Sequence, residues 1–290
     1  MDSGAAIAQY LMDLFNFYEP QGQEVPIVAN LPHSGMFVPD AIAAQFTPEH
    51  LQALPNTDWH LDKLYASLPT FGITVLQATH SRYVVDLNRQ IKEPVFGDFW
   101  TAVIPEKTAF GQPIYQTIPS QLEIAERVQG FYVPYHDRLA AIVQEKLDRF
   151  GKVYLLDLHS FLGLITDQVC LGNRNGQTSS EFLISIVEQG FLQAGYQTIR
   201  NKVFTGGYIT GHYGQLPGVE ALQIEVRYPV YLDETQLEKP QPPDWNVPQL
   251  DSAKKKFDEI FGSIARGVMH VSSSSGAAES RYELSDSPSP

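Results

Sequence analysis

KVYLLDLHSF, residues 152–161, is the stretch whose reading decides how this chain is built. Val153, Tyr154, Leu155, Leu156 and Leu158 leave the run no polar side, as in a central strand covered on both faces. Asp157, His159 and Ser160 then interrupt it. Burying a carboxylate and an imidazole at the end of such a strand is costly unless they are paired or bind a metal. Open α/β sheets place ligands beyond the carboxyl ends of their strands, where His159 falls. VPIVANLPHSG, residues 25–35, has the same form: an apolar run to Leu31, Pro32 to end it, His33 just beyond and Gly35 for a tight turn. Two strands ending in histidine at one sheet edge point to a metal site.

Outward from these strands, the chain alternates strand and helix patterns, which predicts an α/β domain with a largely parallel or mixed sheet. Residues 5–17 carry Ile7, Leu11, Leu14 and Phe15 at the spacing of a short amphipathic helix. NTDWHLDKLYASL (56–68) predicts a helix with Asp58 or Thr57 as its N-cap. ITVLQAT (73–79) and RYVVDLN (82–88) are β-rich. The aperiodic segment 90–119, rich in Phe, Pro and Gly, is long for a connection and reads as a lid or binding loop. SQLE (120–123) is a capping box opening a helix that Gly130 and Pro134 break, and a second part runs to Phe150 with Gly151 as its stop. A helix over 179–194, a strand TIRNKVF (198–204), a glycine-rich loop GGYITGHYG (206–214), a strand ALQIEVRYPVYL (221–232) and a helix over 248–270 follow. The expected organisation is one domain over 1–270 and a polar, disordered tail over 271–290.

Composition narrows the function. A net charge of −13 without a basic block argues against a nucleic-acid partner. Cys170 is the single cysteine, so there is no disulfide framework and no thiolate metal cluster. The N-terminus lacks a basic n-region and carries Asp2 and Asp13, unlike a signal peptide. No apolar run approaches the roughly 18–20 residues needed to span a bilayer. The expectation is a soluble cytoplasmic protein with no membrane partner.

His33, Asp58 and His159 are the metal candidates, a sufficient ligand set for a catalytic zinc, or another divalent ion, that keeps one position open. His60 and Asp62 are rivals for the carboxylate position, and Asp157 is a natural partner for a ligating histidine. The competing reading is a pair of core histidines satisfied by hydrogen bonds. Glu225, a charge within LQIEVRY, reads as a general base with its pKa raised by burial, or as an ion-pair partner of Arg227. Asn88 and Arg89 could grip a substrate carboxylate, with a surface salt bridge as the alternative for the arginine. Arg82, Arg174 and Arg227 are candidates for a second anionic group, and His212 in the glycine-rich loop could reach a substrate. His136, on a helix among aromatics, reads as a core or capping histidine.

PHSG with the following Pro39, TDWHLDKLY, SRYVVDLNR, LLDLHSF, LGNRNG, GGYI and IEVRY occur in order from about residue 25 to 235. Together they resemble the N-formylglutamate amidohydrolase (deformylase) family, which is similar in fold to zinc carboxypeptidases and to the succinylglutamate desuccinylase and aspartoacylase group. The resemblance implies a three-layer α/β/α domain, phosphorylase/hydrolase-like, with a central mixed, mostly parallel sheet and one zinc ion. It implies His33, Asp58 and His159 as ligands, Glu225 as base and the Asn88–Arg89 pair on the carboxylate of a small anionic N-acyl amino acid. Met36 stands where the carboxypeptidase HxxE pattern has its glutamate, so the carboxylate ligand has to come from elsewhere, and Asp58 is the candidate that the resemblance implies. The expected reaction is hydrolysis of N-formyl-L-glutamate. Hydrolysis of another N-acyl amino acid or peptide end, or a non-catalytic binding role on the same scaffold, are the alternatives.

Overall fold

The run around Leu155 is a strand, Val153–Phe161 (β6), with every residue buried. The computed structural model describes residues 14–163 and 165–282, with side chains to residue 270. The neighbouring strands are β1 (Phe15–Tyr18), β2 (Ile27–Leu31), β3 (Thr74–Ala78), β7 (Val169–Gly172), β8 (Thr198–Arg200) and β9 (Val219–Arg227). They form a seven-stranded sheet in the order β1-β3-β2-β6-β9-β7-β8. β2 is parallel to β3 and β6, β6 to β9 and β7 to β8, while β1–β3 and β7–β9 are antiparallel. The sheet is therefore mixed and mostly parallel, as expected. Two short strands, β4 (Phe96–Gly97) and β5 (Ile104–Pro105), pair apart from it within the long loop.

Alternation along each strand divides the side chains between two cores. On one face, Ile27, Ala29, Leu31, Tyr154, Leu156, Leu158, Leu222, Ile224 and Val226 pack with helices Glu181–Gln193 and Pro248–Tyr282, through Leu183, Val187, Phe191, Phe257 and Phe261. On the other, Val28, Val153, Leu155, Val219 and Ala221 meet Val133–Phe150 and Tyr208–Tyr213, through Tyr135, Leu139, Ile142, Ile209 and Tyr213. Helices on both faces of the sheet make the three layers. In chain order the helices are α1 (Asp40–Ala43), α2 (Pro48–Ala53), α3 (Leu61–Leu64), α4 (Gln121–Arg127), α5 (Val133–Phe150), α6 (Glu181–Gln193), α7 (Tyr208–Tyr213) and α8 (Pro248–Tyr282). No described helix is long and apolar enough to cross a membrane.

Several local expectations change. The helix expected over 5–17 lies outside the described residues as far as residue 13, and Phe15–Tyr18 is an edge strand paired with β3. RYVVDLN is not a strand but a series of turns, closed by Val84 N–H to Ser81 O (2.9 Å) and Arg89 N–H to Asp86 O (3.4 Å). Tyr83, Val84, Val85 and Leu87 face the core, while Asp86 meets His33 and Asn88 lines the site. Asp58 does not cap a helix: α3 starts after His60, which holds a left-handed φ of 59° without a side-chain cap. Ser120 and Glu123 do form the capping box, but Gly130 and Pro134 do not break the helix. A π-helical turn, Val128–Tyr132, absorbs Gly130 and joins α4 to α5, which takes Pro134 in its first turn. GGYITGHYG is largely the short helix α7. The tail expected over 271–290 falls outside the described side chains, with helical backbone recorded to Tyr282.

Candidate metal centre and active-site cleft

Along the α5 face of the sheet, the apolar positions of β2, β6 and β9 give way at the carboxyl ends to Asn30, Asp157, His159, Gln223 and Glu225, all buried. Strand register makes neighbours of them: Asn30 lies opposite Asp157, Asp157 opposite Gln223 and His159 opposite Glu225. Tyr135 of α5 closes the row by donating to Asn30 Oδ1 (2.6 Å), whose Nδ2 donates to Asp157 Oδ1 (2.9 Å). His33 follows β2 through the Pro32 turn, and the Asp58 N–H, bonded to the His33 carbonyl at 3.0 Å, ties the second segment to it.

Three donor atoms converge there. Asp58 Oδ2 is 3.9 Å from His33 Nδ1 and 3.0 Å from His159 Nδ1, and one ligand atom from each residue lies within 4.8 Å of the others. The outer nitrogens are held by carboxylates, His33 Nε2 by Asp86 Oδ1 at 2.7 Å and His159 Nε2 by Asp157 Oδ1 at 3.2 Å. A proton on each Nε2 satisfies its carboxylate and leaves both Nδ1 lone pairs turned to the shared point. Tetrahedral ligands at about 2.1 Å from zinc stand about 3.4 Å apart, between the two measured separations. The residues fit a divalent metal. His60 and Asp62 are drawn elsewhere, to the Pro243 carbonyl (2.7 Å) and to Lys63 (3.1 Å).

The electrostatics follow from burying this many charges. Burial, then the Arg82 charge, lower the His33 pKa to about 4 against the opposing pull of Asp86. Burial would lower His159 too, but Asp157 and Asp58 on either side hold it well above the ordinary histidine value. Burial works to raise Asp86, yet Arg82, which donates to it at 2.6 Å, then His33 and Arg89, hold it well below the carboxylate range. Glu225 goes the other way. Burial raises it to about 7, with Asp58 adding to the shift and His159 opposing it. Gln223 donates to Glu225 Oε1 (2.7 Å), whereas the buried Oε2 has no hydrogen-bond partner. Arg227 does not pair with it: Arg227 Nε is likewise buried without a hydrogen-bond partner.

These groups sit at the base of a cleft of ≈450 Å³, within the usual range for small-ligand sites. Arg82, Asn88 and Arg89 line it with His33, Asp58, His159 and Glu225. Arg82 is already spent on Asp86 and the Asn56 carbonyl. Arg89 gives Nε to Phe99 O (3.3 Å) and one terminal nitrogen to Asn88 O (3.1 Å), and its other terminal nitrogen makes no hydrogen bond. Asn88 is engaged on every side. Its amide lies 3.0 Å from His159 Nε2 and 3.4 Å from Asp157 Oδ2, its Oδ1 accepts from Ile209 N–H (2.8 Å), and its own N–H donates to Asp86 (2.9 Å). A Cβ on Gly207 would stand 2.5 Å from the Asn88 amide nitrogen, so a glycine is needed where the loop crosses it.

Arg174, Arg227 and His212 do not line the cleft. His212 is exposed on α7 and stacks on Tyr208 (5.2 Å between centroids), because the supposed loop is a helix that turns it outward. The Arg174 guanidinium packs behind Gly211, giving a hydrogen bond to the Gly207 carbonyl (3.2 Å). Arg227 lies two residues beyond Glu225, opposite Phe161 at the end of β9. His136 is largely buried and bonds the Leu87 carbonyl (2.9 Å), as a core histidine does. Sequence reasoning passed over Asp86 and Gln223. The first is a carboxylate amid Tyr83, Val84, Val85 and Leu87, the signal that singled out Asp157, and the second shares Glu225's face two residues earlier.

The sequence pattern of the N-formylglutamate amidohydrolase family matches residues 25–232. The chain is 34% identical over 223 residues to an N-formylglutamate deformylase of Pseudomonas aeruginosa, covering 72% of this chain and 83% of that protein. It is 31% identical over 225 residues to that of Pseudomonas putida, covering 73% and 84%. The crystal structure of N-formylglutamate amidohydrolase from Ralstonia eutropha JMP134 superimposes with a TM-score of 0.77 at 27% identity, over 89% of this chain and 99% of that one. The gene product Atu2144 of Agrobacterium tumefaciens shares the fold, with a TM-score of 0.63 at 19% identity over 79% of this chain and 90% of its own.

Proposed function

The chain belongs to the N-formylglutamate amidohydrolase family and is a hydrolase, and from that premise we propose that it cleaves N-formyl-L-glutamate to formate and L-glutamate with a metal, zinc, held by His33, Asp58 and His159. The observation that carries this reading is the buried, unpartnered Oε2 of Glu225 beside the convergent donor atoms. When bound, the metal supplies a Lewis acid that polarises the formyl oxygen and makes a water acidic near neutral pH.

The chain's own residues do the rest. Glu225 takes a proton from the attacking water on Oε2 and delivers it to the departing amine. Gln223, fixed on Oε1, keeps that carboxylate turned to the cleft. The free terminal nitrogen of Arg89 is the donor offered to a substrate carboxylate, which lets an acidic protein bind an acidic substrate. Asn88 is not part of that grip, since its amide nitrogen donates to Asp157 and its oxygen accepts from the Ile209 N–H; it is a positioning residue. Asp86 and Asp157 orient the two histidines. The test is formate release from N-formyl-L-glutamate by purified protein, with chelator and with zinc added back. Release that stops with chelator and returns with zinc is expected. Zinc-loaded protein that releases no formate would overturn the substrate.

A further inference from the structure

We propose that the cleft contains an apolar acyl subsite on its β7–β8 side, which accepts N-acylglutamates whose acyl chain is longer than formyl. The inference rests on the amidohydrolase reading and extends it to a substrate class. Apart from the two cores, Phe161, Ile165 and Cys170 form a small third apolar cluster, with Ile199 and Phe204 packed against it. The Phe161 and Phe204 rings are 5.0 Å apart, and both line the cleft together with Leu162 and Val203. Leu162 and Val203 remain 38% and 41% exposed, so the wall they add to the cleft is an uncovered apolar surface.

Strand order fixes where this wall stands. Cys170 of β7 lies opposite Glu225 in the β7–β9 register, and its sulfur lies 3.5 Å from the Phe204 carbonyl oxygen, so the wall is anchored beside the base. Arg89 reaches the cleft on the segment after β3, whose Asp86 and Asn88 lie against His33 beyond β2 and Asp157 of β6, whereas Val203 and Phe204 follow β8. A substrate with its carboxylate on Arg89 and its amide carbonyl between His159 and Glu225 turns its acyl substituent toward Phe161, Leu162, Val203 and Phe204. A formyl group puts only a hydrogen there and leaves the wall wet. An alkyl group covers it. The chemistry is unchanged: water forms the new C–O bond, the C–N bond breaks, and a carboxylate and glutamate leave.

The test is steady-state kinetics of the zinc-loaded enzyme on N-formyl-, N-acetyl-, N-propionyl- and N-butyryl-L-glutamate, for wild type and Val203→Asp. From acetyl onward amide reactivity is nearly constant, so KM reads the wall and is expected to fall about fourfold per methylene buried. In V203D the butyryl-to-formyl ratio of kcat/KM is expected to fall at least tenfold, and that ratio does not depend on how much of the variant is folded. Formyl hydrolysis with a KM that is flat or rises from acetyl to butyryl overturns the subsite and leaves the formyl reading standing. Hydrolysis of the longer acyl groups without formyl supports the subsite and overturns the formyl reading. No hydrolysis of any of the four overturns both.

Discussion

A carboxylate inside a closed apolar strand either finds a counter-ion or holds its proton to a higher pH, and Glu225 does the second. Its pKa is raised to about 7 chiefly by burial. The sign is that of a group ionised more readily in the unfolded chain: its contribution to stability is full below the ordinary value of 4.5 and is lost as pH rises through about 7. The proposed mechanism needs the ionised form, so kcat/KM is expected to rise with pH through an acid limb at or below about 7, because a cation bound beside it would draw the carboxyl pKa down. Glu225→Gln should retain metal, lose that limb and lose about 10²–10⁴-fold in kcat. Metal content by elemental analysis and a pH–rate profile check it together, and a variant with near-wild-type turnover would remove Glu225 from the mechanism.

Short connecting elements, more than the strands, set the geometry of the site. His33 leaves β2 on the turn 32–35, and that turn lies hard against the end of β3. A Cβ on Gly35 would stand 2.4 Å from the His80 carbonyl oxygen and from Thr79 C, main-chain atoms that cannot swing aside. Gly35→Ala is therefore expected to cost about 1–3 kcal/mol of stability through overpacking, and to weaken zinc binding by displacing His33. Urea unfolding and a zinc titration measure the two effects. A variant equal to wild type in both would show that the turn has room to move.

At the scale of the whole molecule, the candidate ligands come from three separate parts of the chain, so binding of a metal by them would be linked to the global fold. Asp58 is on the segment after α2, His33 after β2 and His159 near the end of β6. A metal that binds only the folded state adds about 2.7 kcal/mol at a hundredfold excess over its Kd. Chelation should lower the urea midpoint of wild type by a corresponding amount. His159→Ala should show no zinc-dependent shift of the midpoint. A wild-type midpoint indifferent to chelator would mean that no metal is held at this site.

Much of this was legible in the chain itself, because burial has a sequence pattern. Apolar runs marked β2, β6 and β9 as covered on both faces, and the polar residues that follow or break them marked the candidate site: His33, His159 and Glu225 stood out because a polar group buried there needs a reason. SQLE announced its helix because both halves of a capping box lie within four residues. What remained hidden was non-local. RYVVDLN has the composition of a strand, and only the packed structure shows its turns delivering Asp86 to His33 and Asn88 to His159. The same holds for Arg174 and His212, whose residue types suit a substrate site but whose helix and loop carry them away from the cleft. The amino-acid sequence by itself determined which segments are buried and which residues are too costly to bury idle. Which of those residues meet was decided by tertiary structure alone, since partners 53 to 101 positions apart become neighbours only where turns and loops fold over the strand ends.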